Sequence, residues 1–299
     1  MSMVIVGSLA FDTIETPLDR RERIVGGSCT YAALAASLFT QPAIVAAVGQ
    51  DFPEEMIALF REKGVDVEGI QVEAGKTFHW EGRYGTDPNQ RTTIKTELNV
   101  FQNFKPRLLP AYRKADIVFL GNIDPDLQVD ILNQVEKPRL VAMDSMNLWI
   151  KTKPEALHDV MSRVDIFFAN DEEVKMLAGK NNLITAGRML LDKGLSLVVI
   201  KKGEHGALLM TKEFMFGIPA YPSEKVSDPT GAGDSFGGAF LGYLDKVGTF
   251  EESDIRKAAA IGTVAASFVI EDFGMEPFRS LSVEDLEERL SFFKKFVSF

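Results

Sequence analysis

Residues 228–240 read Asp228-Pro-Thr-Gly-Ala-Gly-Asp-Ser-Phe-Gly-Gly-Ala-Phe240. Gly231 and Gly233 leave the backbone bare, so its N–H groups are free to approach an anion. From Ser235 to Leu244 the sequence reads as a helix, and a helix start carries unpaired N–H groups and partial positive charge. Asp234 stands at that junction, where a carboxylate is placed to take a proton from a hydroxyl held beside a phosphate. Close packing alone accounts for Gly237, Gly238 and Ala239. It does not account for a proline at 229, a Gly-Ala-Gly run and an acid directly at the helix start.

Two other phosphate-binding patterns compete. A Walker loop needs Gly-x4-Gly-Lys-Ser/Thr; Gly69 to Gly75-Lys76-Thr77 has one residue too many and no helix after it. A dinucleotide fingerprint resembles Gly231-x-Gly233-x3-Gly237, but it should follow a buried strand directly. Here residues 220–227 are short and polar, and the first strand ends in Gly7-Ser-Leu-Ala10 with no glycine repeat.

Outward from this segment, short apolar runs alternate with helical patterns. Residues 3–6, 43–48, 117–120, 140–143, 166–168 and 197–200 read as buried strands. Residues 29–38, 54–63, 126–134, 154–161, 172–177 and 185–193 read as helices, and 256–270 as an Ala-rich helix on the core. That alternation predicts an α/β fold with a mostly parallel sheet covered on both faces. Ligands in such sheets sit at the carboxyl ends of the strands. Residues 76–104 break the pattern: they are rich in Thr and aromatics, carry a turn signal at 85–89, and read as a hairpin outside the main sheet. Residues 13–25 add strands to it. Two excursions from one core predict a small β lid within a single domain spanning 1–299.

The 299 residues suffice for a substantial core, and 45% hydrophobic with 25% charged content is ordinary for a soluble protein. A net charge of −10 with no Lys/Arg run argues against nucleic acid or an anionic membrane as partner. One cysteine, Cys29, excludes an internal disulfide framework and fits a reducing compartment. No basic leader or spanning apolar run is evident, so a cytoplasmic protein is expected.

The 13 residues from Asp228 resemble the C-terminal signature of the PfkB, or ribokinase-like, family of carbohydrate and nucleoside kinases. The rest of the chain is compatible in strand order, lid position and length. The resemblance implies a ribokinase-like three-layer α/β/α sandwich with a β lid, and ATP-dependent phosphorylation of an alcohol. Asp234 resembles the family's general base, and Gly231, Ala232 and Gly233 its anion hole. Gly203-Glu-His-Gly206, by itself a strand-exit turn, resembles the Gly-x-x-Gly turn under the nucleotide phosphates, with Lys201 and Lys202 adding charge. Asn170-Asp-Glu-Glu173 is explained by helix capping, and also resembles the Asn-x-x-Glu motif that organises Mg²⁺ through water, with Glu173 and Asn170 as its residues. Asp228 and Thr230 resemble positions through which some members bind K⁺, and Thr230 also lies on the nucleotide side.

On the acceptor side, Asp12 resembles the ligand for substrate hydroxyls and Gly26-Gly27 the substrate-binding glycine pair. The chain departs from the family here. Tyr31 stands where Asn is usual, and Ser28 where ribokinase-type members carry Lys. Asp124 and Asn147 end strands on the same side and are candidate pocket residues or simple Asx turns. The expected activity is phosphorylation of a small sugar, with a nucleoside as the alternative acceptor. A non-catalytic sugar or nucleotide sensor and an NAD(P)-dependent oxidoreductase are the more distant alternatives. Exposed lid edges offer a surface for a homodimer.

Overall fold

The computed structural model describes residues 2–87 and 89–298; Pro88, within the turn expected at 85–89, lies outside them. Thirteen strands follow in chain order: β1 Met3–Val6, β2 Ala10–Glu15, β3 Arg20–Gly26, β4 Pro42–Gly49, β5 Asp66–Glu73, β6 Phe78–Tyr84, β7 Arg91–Glu97, β8 Ile117–Leu120, β9 Leu140–Asp144, β10 Ile166–Asn170, β11 Leu197–Lys201, β12 Ala207–Met210 and β13 Met215–Ile218. Nine form one sheet in the order β13-β12-β11-β10-β9-β8-β1-β4-β5, and four form a second in the order β3-β2-β6-β7.

The period-2 alternation of strand side chains divides the large sheet's core in two. Met3, Ile5, Ile117, Phe119, Ile166 and Phe168 face one cluster with the helices Ser28–Ala36, Ala232–Val247 and Glu252–Val269. Val4, Val6, Val118, Leu120 and Phe167 face the other, with Pro125–Leu132, Pro154–Met161 and Leu183–Leu191. Three layers result, and strands buried on both faces explain why the apolar runs are continuous rather than alternating. The ladder is parallel from β5 through β11 and antiparallel only at the β12–β13 edge.

The chain builds outward from β1 to β4 and β5, then returns to β8 on the other side. That reversal opens a crevice at the carboxyl ends of β1 and β8. Above it, Ser28–Ala36 and Ala232–Val247 cross closely. A Cβ on Gly238 would fall 2.1 Å from the Ala32 carbonyl oxygen, so the packing role of the second glycine run is real. The small sheet is the expected excursion: β2 and β3 arise from the first, β6 and β7 from the second. No helix among the described residues is long and apolar enough to cross a membrane.

Candidate active site

Because the large sheet's central strands are parallel, their final residues share one edge. Asp144 ends β9, Asn170 ends β10 and Lys201 ends β11. Lys201 Nζ donates to Asp144 Oδ2 at 2.5 Å, and Asp144 Oδ1 accepts the Ser145 N–H at 2.8 Å. Burial pulls the Lys201 ammonium down, but attraction to Asp144 and then Asp234 outweighs it and raises its pKa. A buried lysine therefore stays charged here.

The helix Ala232–Val247 points its N-terminus at this pair. Gly231 caps it at φ 79°, ψ −4°, a left-handed conformation that glycine adopts without strain. A Cβ on Gly233 would come within 3.0 Å of Lys201 Nζ, so the ammonium lies against the bare loop. Asp234 occupies the helix's first turn. Burial and the charge of Asp144 push its carboxyl up to about 6, against the pull of Lys201 and Arg91. A base with that pKa is ionised at neutral pH and still holds a proton well enough to accept one.

Asn170 and Glu173 form a reciprocal capping box: each side chain accepts the other's backbone N–H at 2.8 Å. Capping thus explains the pair locally. It does not explain why Glu173 is buried. Burial, then the charge of Asp144, push this carboxyl up to about 7, opposed by the Asn170 N–H and Lys201.

The 3-10 turn Gly203–His205 follows β11, with Gly203 and Gly206 both at positive φ. A Cβ on Gly203 would fall 1.8 Å from Asn89 Oδ1, so the tip of the small sheet rests on this turn. His205 is exposed.

Asp12 lies on β2 and is buried. A Cβ on Gly26 would fall 1.9 Å from Asp12 Oδ2, so that glycine makes room for the carboxylate. Burial, then Asp228, push Asp12 up to about 8, opposed by the Gly27 N–H; Asp234 adds to the rise and Arg91 opposes it. Tyr31 is buried against the Gly231–Gly233 loop: a Cβ on Gly231 would be 2.3 Å from its ring. Its hydroxyl has no hydrogen-bond partner among the described residues.

Asp228 is fully buried. Its Oδ1 accepts the Thr230 N–H at 2.9 Å and its Oδ2 the Gly274 N–H at 3.1 Å, pinning the loop to the segment after Glu252–Val269. Burial raises its pKa, with the hydrogen bonds from Thr230 and Gly274 opposing. Thr230 Oγ1 lies 3.0 Å from the Tyr84 hydroxyl of β6.

The sequence-derived candidates therefore divide. Asp234, Gly231–Gly233, Lys201, Glu173, Asn170 and the Gly203 turn surround one edge, with Asp12, Gly26, Gly27, Tyr31, Asp228 and Thr230 beside them. Asp124 and Asn147 form no side-chain hydrogen bond or ion pair with this group among the described residues. Asp124 caps Pro125–Leu132 and pairs with Lys153 at 2.7 Å, while Asn147 is exposed at a helix start. From the stretch Asp144–Asn147 the structure brings in Asp144 instead. A charged residue closing an apolar strand was its signal, as at Lys201. Tyr84 also reaches the group through Thr230, with Arg91 opposite it in the register; nothing in a polar hairpin strand marks them out. The surface depression lined by Ser2, Gln41 and Asp66 lies where β1, β4 and β5 begin, at the opposite end of the sheet.

Residues 3–279 match the family model described as pfkB family carbohydrate kinase. The cytidine kinase of Thermococcus kodakarensis is 31% identical over 259 residues, covering 84% of this chain and 91% of that protein. The ribokinase of Giardia lamblia superposes with a TM-score of 0.82 at 19% identity, covering 98% of this chain and 99% of that one. Arabidopsis thaliana ribokinase, complexed with ribose and ATP, superposes with a TM-score of 0.77 at 20% identity, covering 97% and 98%.

Proposed function

The chain belongs to the pfkB family of carbohydrate kinases, and from that premise we propose that it moves the γ-phosphoryl group of ATP onto a hydroxyl of a small sugar by direct in-line transfer. One observation carries the proposal: the Asp234 carboxyl at a bare helix start, with Lys201–Asp144 on one side and Asp12 on the other.

Asp12, with Gly26 and Gly27, holds the acceptor's hydroxyls: ionised it accepts from two adjacent OH groups, and protonated it donates to one and accepts from the other. Asp234 takes the proton of the attacking hydroxyl as its oxygen bonds the γ-phosphorus and the bridging oxygen leaves with ADP. The N–H groups of Gly231, Ala232 and Gly233 stabilise the charge that develops on the phosphoryl oxygens. Lys201 and the Gly203–Gly206 turn hold the remaining phosphates, with Asn170 and Thr230 at the nucleotide side. The small sheet serves as a lid of one kinase domain and excludes water that would otherwise take the phosphoryl group.

Mg²⁺ fits this set. Glu173 is a buried carboxylate whose charge is disfavoured beside Asp144, so a divalent ion is welcome there. Magnesium keeps most of its waters and needs few carboxylates, so Glu173 and Asn170 would hold it through water. When bound it supplies charge neutralisation on the β- and γ-phosphates. A K⁺ ion beside Asp228 and Thr230 belongs to the same proposal, because Asp228 is buried and forms no ion pair among the described residues. A cytoplasmic location and a homodimer through the exposed strands of the lid complete the reading.

A nucleoside acceptor is the second reading. The likeness to a cytidine kinase favours it, as does an aromatic ring at position 31. The test is an ATP-consumption screen with Mg²⁺ across pentoses, hexoses, their phosphates, inositols and nucleosides. ADP release stimulated by one sugar and abolished by EDTA supports the proposal, and stimulation by nucleosides alone selects the second reading. Silence with every acceptor, with no thermal stabilisation by MgATP, overturns both.

A further inference from the structure

The small sheet brings to the reacting edge an arginine that none of these roles uses. Arg91 opens β7 directly opposite Tyr84 in the antiparallel register, so the two side chains leave the same face. Tyr84 fixes where that face lies, through its contact with Thr230 on the loop leading into Gly231. Two residues earlier, Asn89 lies against Gly203. The hairpin tip is therefore seated on both phosphate loops, with Arg91 at their rim. Arg91 is exposed to solvent, and its charge lowers the carboxyl pKa of Asp234, Glu173 and Asp12 against the rise that burial causes.

The other arginines of this sheet are all paired: Arg20 with Glu15, Glu22 and Glu81, Arg21 with Asp19, Arg23 with Asp51, and Arg83 with Glu15. Arg91 forms no ion pair among the described residues; its guanidinium lies 5.8 Å from the centre of the Trp80 ring. An unpaired fork of N–H donors at the rim of the Gly203 and Gly231 loops matches an anion that arrives with the reaction.

We propose that Arg91 binds the transferring phosphoryl group when the small sheet is closed, as a catalytic residue of the transfer. The inference rests on the kinase reading above. Arg91 exchanges no proton: it donates N–H groups to the phosphoryl oxygens while the acceptor O–P bond forms, the bridging P–O bond of ATP breaks, and Asp234 takes the acceptor's proton. Donors aimed at developing phosphoryl charge are typically worth about 10²–10³-fold in kcat.

The experiment compares wild type with Arg91→Met and Arg91→Lys, using the acceptor that wild type phosphorylates fastest. Arg91→Met is expected to lose about 10²–10³-fold in kcat with MgADP affinity unchanged, and Arg91→Lys to recover part of the loss. Binding of MgADP with aluminium fluoride, a phosphoryl mimic, gives a readout without turnover: wild type prefers it to MgADP, and Arg91→Met does not. The acid limb of kcat moves to higher pH in Arg91→Met. Asp234 then loses one of its two cations, leaving Lys201 against Asp144 and the nearby Asp12 and Tyr31. Normal kcat and fluoride preference in Arg91→Met, with only the acceptor KM raised, overturns the proposal and makes Arg91 an acceptor clamp. Parallel loss of MgADP binding and thermal stability overturns it in favour of a structural role. Absence of transfer by wild type sinks the kinase reading itself, a different result from an active wild type with an indifferent variant.

Discussion

On the proposed phosphate side, Gly203–Gly206, Gly231–Gly233 and Lys201 present backbone N–H groups and one ammonium, each fixed by a turn or strand end a few residues long. On the proposed acceptor side, Asp12, Gly26 and Tyr31 come from β2, β3 and the helix Ser28–Ala36, and their fit depends on a second sheet folding over the first. On this proposal, local geometry serves a ligand that is always a polyphosphate. An assembly of distant parts serves the ligand that varies, because one side chain there can change without disturbing the chemistry. Tyr31 is the meeting point: it belongs to the proposed acceptor set while its ring covers Gly231.

The division predicts unequal responses to substitution. The largest belongs to Asp234→Asn, which is expected to cost about 10²–10⁴-fold in kcat while MgATP still binds. Steady-state kinetics with isothermal titration checks it, and near-normal turnover would remove Asp234 from its role. Lys201→Met leaves Asp144 buried without its cation and is expected to cost about 3–5 kcal/mol in urea unfolding. Adding Asp144→Asn should recover much of that loss; strict additivity would mean the pair does not act as a unit.

Gly231→Ala places a methyl group into the Tyr31 ring at a left-handed φ, with an expected loss of about 1–3 kcal/mol and weaker phosphate binding. A drop in acceptor affinity without any change for ATP would show that the loop belongs to the other side. Tyr31→Phe is the mildest. It deletes a hydroxyl with no partner, so stability is expected to hold or rise by up to about 1 kcal/mol, while the KM for acceptor changes and that for ATP does not.

Acidity separates the two sides again. Asp234, Glu173 and Asp12 have pKa values raised to about 6, 7 and 8. Raised carboxyl values mean that the folded chain binds more protons than the unfolded one between about pH 4 and 8, so stability from these groups falls as pH rises through that window. Activity runs the other way, because Asp234 must be ionised to accept a proton. Unliganded protein is therefore expected to resist urea better at pH 5.5 than at pH 8, where turnover is faster. Asp12→Asn should flatten the stability slope more than the activity profile.

Much of the large sheet was legible because its strands are buried on both faces. Residues 3–6 and 117–120 matched β1 and β8 end for end, and four other central runs matched to within two residues at either end. The edges were not. β5 carries Asp66, Glu68 and Glu73 around Gly69, and β12 and β13 have four residues each. β5 and β13 are the sheet's half-solvated edges and neither is a continuous buried run, while β12, Ala207-Leu-Leu-Met210, is apolar but has no α-helix between it and β11 to mark it as a new strand. In the site, the residues close together in sequence were readable from 228–240. Asp144 and Arg91 were not, because their meaning comes from distant partners: Lys201 lies 57 positions from the first, and Tyr84, opposite the second, touches a residue 146 positions from itself.

The seating of the hairpin tip on both phosphate loops has a kinetic consequence. With ADP on these loops as proposed, its release would require Asn89 to part from Gly203 and Tyr84 from Thr230, so both products would wait for the same opening. The slow event at saturating substrate would then be a hinge motion rather than bond making. Turnover should respond to solvent viscosity, a pre-steady-state burst should precede it, and heavy-atom isotope effects on the phosphoryl oxygens should be muted.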